Sequence, residues 1–149
     1  MTVMLHQATC VAIGGRGLLI EGAPGSGKSS LALALIDRGA RLVGDDGVAI
    51  ESRHEHLFAK PVPATAGKLE VRNLGILDYP FLPEVAVALV IILDERAERF
   101  IERAARIERA GIPLPLVRLW PGASVLPLRA ELALGHYGIA TPARPPGQV

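Results

Sequence analysis

Gly22-Ala23-Pro24-Gly25-Ser26-Gly27-Lys28-Ser29 is the stretch whose reading decides the fold. It has the form G-x-x-x-x-G-K-S, preceded by the apolar run Gly17 to Ile20 and followed by the strong helix formers Leu31 to Leu35. Strand, glycine loop and helix in that order is the setting of a phosphate-binding loop. Glycines let backbone N–H groups turn inward around phosphate oxygens, and the helix start adds the positive end of its dipole. Lys28 reaches the outer phosphates, and the Ser29 hydroxyl can hold Mg²⁺. Gly22 to Ser29, together with Ser30, are therefore the candidate nucleotide-binding residues. The four fixed positions recur by chance in roughly one per cent of chains of this length, before the flanking context is required.

Outward from the loop, Thr9 to Ile13 and Gly17 to Ile20 flank Gly14-Gly15-Arg16, the composition of a tight hairpin turn, which places Cys10 in a strand. The helix from Ser30 to Arg38 stops at Gly39 and is apolar nearly all round, so it is expected to lie between a sheet and another element. Arg41-Leu42-Val43 and Gly47 to Ile50 read as strands around Asp45-Asp46, and Glu51 to Glu55 as an exposed turn. Leu57 to Lys60 and Leu69 to Arg72 are further short strands, interrupted by Pro61, Pro63 and Gly67. Val85 to Leu93, rich in Val and Ile, suits a central strand covered on both faces. After it, Ala97, Phe100, Ile101, Ala104 and Ile107 fall at helical spacing, which predicts an amphipathic helix to about Ala110 with Glu95/Arg99 and Glu102/Arg106 on its solvated face. A strand over Ile112 to Leu119 and a short helix after Pro127 complete the domain, 1–139, and the proline-rich 140–149 reads as a loose tail.

The chain has 149 residues, half of them hydrophobic, with 16 Lys+Arg against 15 Asp+Glu and a formal charge of +1. That size and composition predict one folded domain and exclude intrinsic disorder. A near-neutral chain with few aromatics lacks the basic, stacking surface of a nucleic-acid groove. The longest apolar run is far short of the roughly 20 residues of a membrane helix, and Met1 to Cys10 is no signal peptide. One cysteine cannot form an internal disulfide, and the four histidines show no metal-ligand spacing with it, so a reducing cytoplasm is expected. His54, His56 and His136 lie in polar or terminal stretches and read as surface residues.

A phosphate loop fixes a ligand and leaves the chemistry open, because a carboxylate must complete the magnesium and nucleophile geometry. Two pairs compete. Asp45-Asp46 follows the strand after the loop helix; Asp94-Glu95 follows Val85 to Leu93, like the hydrophobic strand and acidic pair of many ATPases. Either pair also has an ordinary structural use, capping a turn or sitting at a helix N-terminus.

GAPGSGKSSLALALIDRGARLVGDD, Gly22 to Asp46, resembles the catalytic domain of bacterial HPr kinase/phosphorylase, which phosphorylates a serine of the phosphocarrier protein HPr. In that family the loop and its helix are followed by "RG", a short strand and two aspartates, as Arg38-Gly39, Arg41-Leu42-Val43 and Asp45-Asp46 are here. The family signature, approximately E-[IV]-R-G-L-G-I, is matched by Glu70-Val71-Arg72-Asn73-Leu74-Gly75-Ile76. The likeness covers roughly Leu5 to Leu93, and the length suggests a short form without the N-terminal domain. It implies an α/β P-loop domain of the HPr kinase and phosphoenolpyruvate carboxykinase-like type, a mixed sheet with flanking helices. Carried over, it makes Lys28 the phosphate-binding lysine, Ser29 and Glu70 the magnesium ligands and Asp46 the base for the acceptor serine, supported by Asp45. Arg72 then contacts phosphate or orders the signature loop, and His6 resembles the histidine that lies near the catalytic aspartate. ATP and Mg²⁺ are the implied cofactors, an HPr-like phosphocarrier the implied partner, and a homo-oligomer is expected, because the family commonly forms hexamers.

Two departures qualify this. Asn73 replaces the signature glycine; Asn tolerates left-handed backbone angles but adds a side chain. The later family segment, roughly P-V-x-P-G-R-N, has only Trp120-Pro121-Gly122-Ala123-Ser124 as counterpart, without the Arg-Asn pair tied to phosphorolysis, so the reverse reaction is expected to be weak. The family's arginine between these motifs could be Arg99, with Arg96 and Arg103 as competitors. The resemblance predicts an ATP-dependent serine kinase; the rival readings are a nucleotide-binding regulatory domain without transfer and a small-molecule P-loop kinase.

Overall fold

The computed structural model describes residues 3–142, and in it the glycine loop joins strand β3 (Arg16–Gly22) to helix α1 (Lys28–Asp37). β2 (Thr9–Ile13) runs antiparallel to β3 with Cys10 opposite Leu19, and Gly14 and Gly15 turn the hairpin at φ 56° and 83°. β1 (Val3–His6) lies elsewhere, at the edge of the sheet.

The Val/Ile run is β9 (Val85–Leu93), the strand around which the sheet is organised. One edge lies parallel to β3 from Gly17 opposite Val87 to Gly22 opposite Leu93. The other edge is shared: β6 (His56–Pro61) runs antiparallel to it at Val85 and Ala86, and β11 (Ile112–Leu119) parallel to it at Val90 to Leu93. The run is apolar throughout because both faces are covered. Leu89 and Ile91 join Leu31 and Leu35 of α1 in one core, while Val87 and Val90 join Ile50 and Leu57 in another. Helix α2 (Leu126–Tyr137) packs beside α1 through Leu126, Ala130 and Leu134, so both helices cover one face of a mixed sheet, as expected. The chain stays tied to the sheet as far as Ile139, whose N–H donates to the Ala88 carbonyl at 3.0 Å. The expected tail falls largely on 143–149, outside the described residues. Among the described residues no helix is long and apolar enough to cross a membrane.

The helix expected from Asp94 to Ala110 does not form. Residues 94–104 are irregular, and Ala105–Arg109 is instead a strand, β10, paired antiparallel with β11. Phe100 is 79% exposed and Ile101 40%, so the helical spacing of apolar residues was accidental. Ala110 and Gly111, at φ 50° and 79°, make a tight hairpin turn, and the waiting edge of β11 captures the segment, overriding a helix that alone would be marginal. Pro113 and Pro115 are tolerated in β11 because its ladder with β9 begins only at Leu116.

A second difference lies at Glu51. The exposed turn shrinks to His54 and Glu55, both at positive φ, while Glu51 to Arg53 belong to β5 (Val48–Arg53), paired with β6 on one side and β1 on the other. Glu51 is buried there and held by Arg53 at 2.9 Å and Lys60 at 3.3 Å, which is how a carboxylate is accommodated in a strand. The two remaining strands that matter to the site are β4 (Arg41–Gly44), paired with β2, and the hairpin of β7 (Lys68–Val71) with β8 (Gly75–Asp78), whose fully buried Leu69 packs into the α1 core.

Candidate active site

The loop geometry follows from its glycines. Gly22, Gly25 and Gly27 take φ 154°, 78° and 102°, and a Cβ on Gly22 would fall 2.6 Å from Ser26 Oγ and 3.2 Å from the Leu93 carbonyl. The Ser26 N–H donates to the Ala23 carbonyl at 3.0 Å, closing the turn that carries Pro24 and Gly25. α1 begins at Lys28 behind Gly27, with no side chain capping its first N–H groups, so these are available to an anion. Lys28 Nζ lies across the loop, donating to the Gly22 carbonyl at 2.8 Å and the Ala23 carbonyl at 3.2 Å.

The adjacent aspartates have different surroundings. Asp45, delivered by the end of β4, is buried; its Oδ1 accepts from Ser29 Oγ at 2.7 Å and Thr9 Oγ1 at 2.9 Å, and its Oδ2 accepts from the Glu70 N–H at 3.0 Å. Asp46 turns out at φ 53°, a left-handed angle that Asp adopts more readily than most residues, and accepts from Gln7 Nε2 at 3.0 Å. One cleft of about 220 Å³ is lined by Lys28, Ser29, Ser30, Asp46, Glu70 and Arg72 among others. Arg72 donates to the Gly25 carbonyl at 3.3 Å, tying the β7–β8 turn to the loop. Two motifs far apart in sequence thus meet in one opening.

His6 is placed differently. Its Nε2 is 2.8 Å from Glu21 Oε2, while Asp46 takes its hydrogen bond from Gln7. Arg109 binds the same Glu21 in a fork, Nε at 2.9 Å and Nη2 at 2.6 Å. Burial alone would raise the Glu21 carboxyl, but the hydrogen bonds and charges of Arg109 and His6 outweigh it and hold the group at about 2. The Arg109 guanidinium is correspondingly pushed further up by its bond to Glu21. Sequence reasoning missed this cluster, although a Glu inside the apolar run GLLIEG is itself a signal, since a buried carboxylate needs partners. It also missed Thr9 and Gln7, for which no local signal exists.

The rival acidic pair sits elsewhere. Asp94 accepts the Arg96 N–H at 2.8 Å within a turn, and neither it nor Glu95 lines the cleft of Lys28 and Asp46. Arg99 stands in the irregular 94–104 segment with its guanidinium 5.4 Å over Phe100. Trp120 donates its indole N–H to the Ala97 carbonyl at 2.7 Å. Cys10 is fully buried, which pushes its thiol to about 12 and leaves it unreactive.

The chain was compared with known proteins. The HPr kinase/phosphorylase of Clostridium acetobutylicum is 45% identical over 95 residues, covering 59% of this chain and 31% of its own. That of Chloroherpeton thalassium is 30% identical over 152 residues, covering 89% of this chain and 45% of its own. The chain therefore spans less than half the length of these curated relatives. Among solved structures, the Hpr(Ser) kinase/phosphatase from Coxiella burnetii is similar with a TM-score of 0.79 at 27% identity, covering 89% of this chain and 95% of that one. The family model described as HPr Serine kinase C-terminal domain matches residues 2–104, most of the described chain, and the loop, the aspartate pair and Glu70 all lie inside that match: the chain belongs to the HPr serine kinase C-terminal domain family.

Proposed function

We propose that this chain is an ATP- and Mg²⁺-dependent protein serine kinase acting on an HPr-like phosphocarrier protein. The observation that carries the reading is the division of labour at Asp45-Asp46: Asp45 is tied to the loop serine, and Asp46 faces the cleft that holds Lys28 and Glu70. In this reading the loop N–H groups and Lys28 hold the β- and γ-phosphates. Asp46 accepts the proton of the acceptor serine as its oxygen attacks the γ-phosphorus and ADP leaves.

The residues present suit a magnesium ion. Because Ser29 gives its hydroxyl proton to Asp45, its oxygen lone pairs are left for a cation, and Glu70 lines the same cleft. Mg²⁺ commonly takes one or two carboxylates and completes its shell with substrate phosphates and water, so this sparse set is sufficient. Its contribution would be to neutralise charge on the transferring phosphoryl group. Arg72, from the turn beside the loop, is positioned for a phosphate oxygen.

The Arg72–Leu74 turn edges the opening, and Leu74 is 73% exposed beside it. Asn73 stands at φ 71°, the left-handed angle that the family glycine also permits, so the turn accommodates the substitution. We read the reverse phosphorolysis as weak, the reaction as cytoplasmic and nucleic acid and membrane as absent from it, and a homo-oligomer as the working state.

Incubation with Mg-ATP and an HPr-type carrier from the same organism is expected to place an acid-stable phosphate on serine, absent when that serine is changed to alanine. A protein that binds ATP yet leaves every HPr-type carrier unmodified by mass spectrometry is the regulatory domain instead. Efficient phosphorolysis would show that the Arg-Asn pair is dispensable.

A further inference from the structure

Gln7 and Ala8, the two residues between β1 and β2, run with Thr9 along the aspartate pair and meet it in register. The Thr9 hydroxyl donates to Asp45 at 2.9 Å, the Ala8 carbonyl accepts the Gly47 N–H at 2.9 Å, and Gln7 Nε2 donates to Asp46 Oδ1 at 3.0 Å. The first contact serves Asp45 at the loop serine. The last reaches the base itself.

The backbone explains why the base needs a hold. Asp46 stands at φ 53° and Gly47 at 138°, and a left-handed angle persists in a non-glycine residue only where its surroundings impose it. The Ala8 carbonyl fixes the main chain just after Asp46. The Asp46 side chain is exposed, however, and an exposed carboxylate turns among its rotamers unless something ties it. Among the described residues Gln7 is the one side chain that does so. With Oδ1 taken, Oδ2 is the oxygen left to work in the cleft of Lys28, Glu70 and Arg72.

We propose that Gln7 is the positioning residue of the Asp46 base, an inference that rests on the kinase reading above. Its amide holds Oδ1 and presents Oδ2 to the acceptor hydroxyl. The serine proton passes to Oδ2 as the serine oxygen bonds to the γ-phosphorus and ADP leaves, and Gln7 keeps its own protons throughout.

The chemistry of the donor fits that task. An amide is neutral at every working pH, so it orients a carboxylate with far less loss of proton affinity than a cation beside it would cause. Glu21 shows the alternative: burial pushes it up, yet Arg109 and His6 hold it at about 2, too low for a base. Gln7 and His6 are neighbours in sequence, and the imidazole goes to Glu21 while the amide goes to the base.

Gln7 is exposed, so Gln7→Met keeps the reach of the side chain, removes the donor and spares the fold. In single-turnover transfer to an HPr-type carrier it is expected to lower the rate by about 10–100-fold, the scale of a misplaced reacting group, with Mg-ATP affinity by calorimetry within about twofold. In an Asp46→Asn background the same change is expected to do nothing further, because its effect passes through that carboxylate. Gln7→His restores a donor of similar reach. It is expected to recover most of the rate at about pH 8, where the ring is neutral, and to lose it towards about pH 5 as the ring charges. Asp45 and His6, adjacent in sequence, and Lys28, Glu70 and Arg72 in the cleft are common to every variant, so that loss belongs to the new imidazole. A Met variant that transfers phosphate within about twofold of the original chain overturns the assignment of Gln7 alone. So does an equal loss in the Asp46→Asn background, or a His variant that follows the Met variant at every pH. An original chain that binds Mg-ATP and phosphorylates no HPr-type carrier overturns the kinase reading itself, and the positioning role falls with it.

Discussion

Two buried carboxylates flank the glycine loop, and they are satisfied in opposite ways. Asp45 receives three hydrogen bonds, all from neutral donors: the Thr9 and Ser29 hydroxyls and the Glu70 N–H. Glu21, immediately before Gly22, receives the Arg109 fork and the His6 ring. Burial is costly for either charge unless it is paired or hydrogen-bonded, and both arrangements meet that requirement. Only one leaves a net negative charge behind. Neutral donors orient Asp45 without cancelling it, so its charge still acts on Ser29 and on any cation beside it. Arg109 cancels Glu21, whose use is to knit β1, β3 and β10 together. A carboxylate's partners, more than its burial, decide whether its charge is cancelled.

The largest effect tests which side carries the chemistry. Asp46→Asn is expected to leave nucleotide affinity nearly intact and lower phosphoryl transfer by about 10²–10⁴-fold, the range for loss of a general base, in a single-turnover assay. Asp94→Asn should do far less; the reverse ranking would move the reaction to the end of β9. Lys28→Ala, on the same side, should weaken ATP binding or stop turnover.

Next comes Glu21. A carboxyl that ionises at about 2 instead of 4.5 contributes stability that is complete above its unfolded value and lost as pH falls towards the folded one. Glu21→Gln should therefore lower stability in urea unfolding at pH 7, by about 1.5–3 kcal/mol, the range for hydrogen bonds to a charged group. The gap to the original chain should narrow below pH 4.5 and close near pH 2. A gap that persists at pH 2 would mean the loss is one of packing.

Asp45→Asn sharpens the contrast from the other side. The amide oxygen can still accept from the Thr9 and Ser29 hydroxyls, but the amide NH2 cannot accept from the Glu70 N–H and the charge is gone, so the magnesium dependence of ATP binding should shift by about 10–100-fold, as when the group orienting a metal ligand is changed. Stability should fall less than for Glu21→Gln. The smallest effect is Asn73→Gly: at φ 71° glycine relieves a little strain and adds unfolded-state freedom, so stability should change by less than about 1 kcal/mol.

What was legible in the sequence was local. Gly22 to Ser29 lies in one segment whose glycines and lysine state their own use, and Val85 to Leu93 announces two covered faces by lacking polar residues. The helix after Asp94 was misread because Ala97, Phe100, Ile101 and Ala104 satisfy a local period, while the deciding fact is a partner strand beyond Gly111. Glu21 and Arg109 are 88 residues apart, and Thr9 and Asp45 are 36 apart. No spacing rule joins such residues; the sheet does.

The shared edge of β9 bears on how the loop comes into being. Gly22 takes its position opposite Leu93, and β11 closes on the same strand from a late segment of the chain, so the glycine-loop cleft cannot be assembled from its own hairpin and helix. Parallel pairings between remote segments are slow to close, because loop entropy is lost before any contact compensates. Trp120, the only tryptophan, follows β11 directly and is bonded to Ala97, so its fluorescence reports the docking of that late segment. In stopped-flow refolding, nucleotide-binding competence is expected to appear with the slow Trp120 phase, after the early β2–β3 hairpin and α1 have formed.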